Sequence, residues 1–272
     1  AGEKGAGRPA PFFEGFVEMC SAGEQCRLAP LVRAGVWEHF RTWVSYEADY
    51  LRRADGIGPN AQQHVGSLVR EVRNRFGLAR STRCGYSLKN VNCENYGMSI
   101  LPIIPNANDF ELCNFADALN AFACQQSNLG TTGGIQKSMA TKVAWFFRPN
   151  GFTIYDSHAT RAIDTEGFQA FYCKLNCLGF SELCIELRGE VTVSSLPTLW
   201  PERIIDKMLW IMGDKYPCDH FIADPAALNQ IVGQPLAGQI NDLTKALCPT
   251  ICESTLGQFM LTKRCFRIPE AP

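Results

Sequence analysis

The chain has 272 residues, 46% of them hydrophobic, and 26 basic against 27 acidic side chains leave a net charge of −1. That length and apolar content bury a core without staples or metal, and near-zero charge excludes coating of nucleic acid by bulk electrostatics while allowing a local basic groove. No stretch approaches the roughly 20 apolar residues of a membrane span, so a membrane partner is excluded as well.

Residues 1–11, rich in Ala, Gly and Pro and without a signal-peptide pattern, read as a flexible tail ahead of a single domain over 12–272. From there apolar residues recur at helical spacing. Leu31 to Leu51 carries Val32, Val36, Phe40, Trp43 and Val44 on one stripe, and Ala61 to Phe76 repeats it through Val65, Leu68, Val69, Val72 and Phe76. Within and after this second stripe Arg70, Arg73, Arg75, Arg80 and Arg83 cluster against Glu71 alone, as a solvated face or a phosphate-contacting patch. Further helices are expected at Asp109–Gln126, Ser138–Arg148, Ser157–Ile163, Pro201–Met212, Pro225–Val232 and Asn241–Leu247. The connectors are Gly, Asn and Pro clusters at Gly56–Asn60, Leu101–Asn108, Asn128–Gly134, Pro149–Gly151 and Gly233–Gly238. Only Val191–Val193 hints at a strand, so the expected class is mainly α.

Thirteen cysteines are an odd number, which rules out a fully paired disulfide framework. Cys173 with Cys177 and Cys248 with Cys252 have the four-residue spacing that puts two thiols on one helical face. The C-x-x-C knuckle of most zinc sites is absent, so reduced core thiols are expected and no metal or cofactor is assigned.

The chemistry concentrates in Gly133–Ile163. Gly133 and Gly134 permit a tight turn before a helix that starts at Ser138 or a neighbour. Met139, Val143, Phe146 and Phe147 form its buried stripe, and Lys142 sits on another meridian, one turn from Ser138 and near Trp145 and Phe146. An amine leaving an apolar surface has its charged form disfavoured, as an amine nucleophile requires. Pro149 stops the helix, Asn150-Gly151 reverse the chain, Phe152 and Ile154 anchor an extended stretch, and Asp156-Ser157 cap the next helix. Lys142 to Arg148 climbs only about 9 Å at 1.5 Å per residue, so the following segment can return Asp156 to the side of Lys142. An amine to attack an electrophilic carbon and a carboxylate to steady positive charge make a catalytic pair.

Thr141-Lys142-Val143-Ala144, followed by Ile154-Tyr155-Asp156-Ser157-His158, resembles the helix-hairpin-helix DNA glycosylase superfamily, in particular its 8-oxoguanine-glycosylase-like branch. Arg203 to Gly213 resembles a helix that follows the catalytic segment in bacterial members. The resemblance covers roughly 45 residues. It implies a compact two-lobed helical bundle with a cleft between the lobes, Lys142 as Schiff-base nucleophile and Asp156 assisting departure of the base. It extends to glycosylases of anti-phage defence. The family's hairpin has Gly-x-Gly amides that hold a phosphate; Gly133 to Ala140 lacks that motif, leaving amides at the helix start with Gly134, Lys137 and Ser138 for DNA. Trp145, Phe146 and Tyr155 are candidates to stack on an extruded base, with Ser157 and His158 beside them. Arg203 and Asp206 are expected to lock helices together. The expectation is a monomeric cytoplasmic enzyme acting on double-stranded DNA with a modified base, either an oxidised purine or a hypermodified phage base. The alternatives are a non-catalytic DNA-binding scaffold and a cysteine-dependent or metal-binding protein, although His39, His64, His158 and His220 are too scattered to nominate a Cys–His pair.

Overall fold

Every regular element among the described residues is helical in the computed structural model, which describes residues 27–55, 62–76, 92–104, 111–127, 133–194, 196, 199–213, 229–230 and 233–263. The first stripe folds as α1 (Ala29–Thr42), a π turn (Trp43–Glu47) and α2 (Ala48–Asp55) in unbroken succession. The wider π turn inserts a residue into the helical register, and its last residue, Glu47, ends up fully buried. Next come α3 (Gln62–Arg75), α4 (Cys93–Ile100), α5 (Leu112–Ser127) and α6 (Gly133–Phe147). They are followed by α7 (Ser157–Ala162), α8 (Phe168–Cys177), α9 (Phe180–Thr192) and α10 (Pro201–Met212). After the break, α11 (Gln234–Glu253) and α12 (Thr255–Thr262) close the described chain.

Several expectations change. Helix α6 begins at Gly133, five residues before Ser138, so Gly133 and Gly134 lie within a helix instead of forming a tight turn. Val191–Val193 is the end of α9, not a strand; local β-branching yields there to the Phe180, Leu183, Leu187 and Val191 stripe that the helix buries. Residues 234–238, expected in a connector, open α11, because Gly233 takes φ 80° just ahead of a first-turn proline. Helices α4, α8, α9 and α12 were not expected. Asn92 caps α4 by accepting from the Glu94 and Asn95 amides, and Gly167 (φ 92°) and Gly179 (φ 70°) delimit α8. Gly56–Asn60, Arg80 and Arg83 lie outside the described residues, as does most of Pro225–Val232.

Helix α1 packs on α10 and α11, α5 packs on α6 and α8, and α7 packs on α10. A Cβ on Gly35 would stand 2.6 Å from Met208 Cγ and 3.0 Å from the Ile204 carbonyl oxygen, so the missing side chain sets how closely α1 approaches α10. Buried apolar residues of the helices α1 to α12 described above join in one cluster, with Trp145, Phe146, Phe152, Phe168, Phe171 and Tyr172 among its largest members. No described helix is long and apolar enough to cross a membrane.

Candidate active site

The site begins with α6. Lys142 is only 6% exposed and donates from Nζ to Ser138 Oγ at 2.6 Å, one turn earlier on the same helix. Its ammonium group lies 5.5 Å from the centroid of the Phe76 ring, which follows α3. Burial lowers the Lys142 pKa; Asp156 and Asp206 oppose that effect and Arg203 adds to it. Desolvation wins, so the amine is held toward its neutral, nucleophilic form.

Asp156 arrives on the extended segment after the Asn150-Gly151 turn, where Gly151 has φ 87°. Three contacts fix that segment. The Tyr155 amide donates to Thr141 Oγ1 at 3.2 Å, which seats it beside the residue preceding Lys142. Thr153 Oγ1 donates to Asp206 Oδ1 at 2.7 Å, and Tyr172 donates from its hydroxyl to the Thr153 carbonyl at 2.8 Å. Asp156 then caps α7, its Oδ1 accepting from the His158 and Ala159 amides at 2.9 Å each. These bonds occupy Oδ1, while the charge of the carboxylate reaches Lys142.

Behind the pair lies a buried ionic chain. Arg203 donates to Glu47 Oε1 from Nε at 3.0 Å and from Nη2 at 2.6 Å, and it also pairs with Asp206. His39 Nε2 accepts from the Trp200 amide at 2.9 Å, so its Nδ1, 3.3 Å from Glu47 Oε2, carries the proton of the neutral ring. Burial alone would raise the Glu47 pKa, but the Arg203 charge and the His39 contact hold it far below the carboxylate range. Lys207, desolvated and beside Arg203, is lowered to about 8. Arg203 ties α10 to the π turn through Glu47, whereas Asp206, expected to lock helices, ties α10 to the extended segment through Thr153. They also adjust the Lys142 amine in opposite senses, which their sequence positions did not indicate.

The predicted binding residues divide. Trp145 and Phe146 are 0% and 2% exposed and belong to the core; the Trp145 ring lies 5.2 Å from the Arg203 guanidinium and the Phe146 ring packs on Tyr50. They are corrected from base-stacking surfaces to supports, because every residue of α6 from Met139 to Phe146 is buried. Tyr155 stays half-buried with its ring against Phe168 and Phe171, and Lys137 lies 5.8 Å from the Phe168 ring centroid. Gly134 falls in the first turn of α6. Ser157 is exposed, and the half-buried His158 ring stacks on Trp210 at 5.3 Å. Phe76, half-buried and next to the amine, was missed as a site residue; its place in the α3 stripe gave it only a core role. Thr141 was quoted in the motif without a function, and no sequence signal distinguished Glu47 or Thr153.

The basic cluster is also clarified: Glu71 pairs with Arg53 at 2.8 Å, and Arg75 stacks over Tyr46 at 5.0 Å, beside Phe76. Cys252 is disulfide-bonded, contrary to the expectation of reduced thiols, while Cys113, Cys124, Cys173, Cys177 and Cys184 are free. Among the described residues no group of three His, Cys, Asp or Glu side chains is arranged to hold a metal ion. No protein-family model matches the chain, and no curated protein or solved structure is significantly similar to it.

Proposed function

We propose that this chain is a DNA N-glycosylase of the helix-hairpin-helix kind that extrudes a modified base from double-stranded DNA and excises it. The observation that carries the reading is Lys142, a buried amine with a lowered pKa, steadied by Ser138 and within electrostatic range of the Asp156 carboxylate. An amine in that condition suits covalent attack on carbon. In the reaction neutral Lys142 attacks the sugar C1′ while the bond to the base breaks, and Asp156 stabilises the oxocarbenium charge that develops between them. The Lys142–C1′ adduct then opens to an imine, from which strand scission at the abasic site follows. Phe76, the half-buried ring beside Lys142, and the half-buried Tyr155, whose amide bonds Thr141, offer apolar faces to the extruded nucleotide, and Arg75 at the end of α3 supplies charge for the backbone phosphates.

Borohydride trapping on duplexes carrying oxidised purines, and on phage genomic DNA carrying hypermodified bases, tests the reading and selects between the two substrate classes. The expected outcome is a covalent protein–DNA adduct with one class, abolished in Lys142→Gln. No adduct with either, or one that survives Lys142→Gln, overturns the assignment. DNA binding without an adduct, indifferent to Lys142→Gln, identifies a non-catalytic binder.

A further inference from the structure

A buried acid that takes no part in the proposed chemistry lies behind the Asn150-Gly151 turn. Glu202, the second residue of α10, is 0% exposed. Its Oε1 accepts from the Gly151 amide at 2.9 Å and from Arg188 Nη2 of α9 at 2.6 Å. Arg188 Nη1 donates to Asn150 Oδ1 at 3.0 Å. Both residues of the turn are thus held, Gly151 by its backbone and Asn150 by its side chain, and the half-buried Arg188 joins the two bonds.

The spacing along α10 extends this hold into the segment beyond the turn. One helical turn after Glu202, Asp206 Oδ1 accepts from Thr153 Oγ1 at 2.7 Å. Four residues of helix rise about 6 Å, and two residues of extended chain cover about 6.6 Å. Two carboxylates one turn apart on α10 therefore match two bonding points two residues apart, at Gly151 and Thr153. A slip of one residue would lose both bonds, because successive residues of an extended chain face opposite ways.

We infer that Glu202, fastened by Arg188, is a positioning residue: by holding the Gly151 amide in step with the Thr153–Asp206 bond, it sets the register of residues 151–155 and so the place of Asp156 relative to Lys142. The inference rests on the reading of Lys142 and Asp156 as the reacting pair, and Glu202 acts on that pair through the chain between. Misplacing a reacting group by about 1 Å can cost roughly a hundredfold in rate, which is the loss this register guards against.

Amide exchange followed by NMR, and the pH profile of Lys142 methylation by formaldehyde and cyanoborohydride, test the inference in the full chain. Glu202→Leu fills the buried space but accepts no hydrogen bond. It should speed exchange at Gly151 and, four residues on, at the Tyr155 amide, which donates to Thr141. Burial lowers the Lys142 pKa and the charge of Asp156 opposes that effect, so displacing Asp156 should move half-maximal methylation to lower pH, with the exposed Lys245 unchanged. Glu202→Gln, whose amide oxygen still accepts from Gly151, should keep both readouts near wild type. Faster exchange confined to Gly151, with an unmoved Lys142 profile, makes Glu202 a local brace and overturns the proposal. A Glu202→Gln that matches Glu202→Leu overturns it as well. Should Glu202→Leu not fold, Asn150→Ala cuts the clamp only at Arg188 Nη1 and should speed exchange at both amides; wild-type exchange there overturns the proposal. Neither readout depends on glycosylase activity. Absent trapping in the wild type, with these results intact, overturns the glycosylase reading and leaves the register standing. Trapping at the wild-type rate in Glu202→Leu, where a loss of about a hundredfold is expected, overturns the positioning role and leaves the glycosylase standing.

Discussion

Lys142 differs from an ordinary surface lysine through its surroundings. Burial removes water from the ammonium, Ser138 Oγ at 2.6 Å accepts a single hydrogen bond, and the charges of Asp156 and Asp206 only partly offset the loss. The folded pKa is therefore below the ordinary lysine value, and the amine becomes nucleophilic at a lower pH than it would in water. Reductive methylation with formaldehyde, read peptide by peptide, measures this directly. Lys142 should reach half-maximal modification at lower pH than Lys245, which is 81% exposed. Identical profiles would remove the physical basis for a nucleophile. The contrast with Lys207, lowered to about 8 beside Arg203, shows that a buried amine alone is not diagnostic. What distinguishes Lys142 is the segment that carries Asp156 to its side.

At the scale of elements, Asp156 has two roles that substitution separates. As the N-cap of α7 it satisfies the amides of His158 and Ala159, a contribution of about 1 kcal/mol. Asn serves nearly as well in a cap, so Asp156→Asn should shift the thermal midpoint by less than about 1 °C, whereas Asp156→Ala should lower it by about 2–4 °C. Both should lose the trapped adduct, because neither retains the charge. Full trapping by Asp156→Asn would reduce Asp156 to a cap. The placement of α7 itself depends on α10: a Cβ on Gly213 would fall 1.7 Å from the His158 carbonyl oxygen, and Arg161 Nε donates to the Gly213 carbonyl at 2.8 Å. The proline stop, the Asn-Gly turn and the cap were legible in the sequence because each is local chemistry. The start of α6 was misread, because a Gly-Gly pair that permits a turn also fits a helix.

Across the molecule, the ionic chain links the π turn after α1 to α10 and makes stability depend on pH. Burial holds the His39 pKa below 6.5, so in the window beneath 6.5 the unfolded chain binds a proton that the native state refuses, and stability falls as pH drops. Glu47 is held well below 4.5, and a second loss begins as pH falls past that value. Lys207 works at the other end: between about 8 and 10.5 the native amine is the less protonated, so its contribution rises with pH. Thermal midpoints should decline in two acid steps, and His39→Gln, whose amide oxygen can still accept from Trp200, should remove the first. A midpoint unchanged from pH 7 to pH 5 in the wild type would contradict this. Sequence alone determined the helical class, the stripe of α3, the extent of α10, and the proline stop, Asn-Gly turn and Asp156 cap that follow Lys142, because spacing, prolines and caps act over a few residues; Val44, expected on the first stripe, is 60% exposed. Only the tertiary structure decided that Trp145 and Phe146 are core, that Phe76 lies beside the amine, and that Glu47 is buried against Arg203. Those outcomes depend on which helix faces meet, and partners separated by scores of residues leave no trace in local spacing.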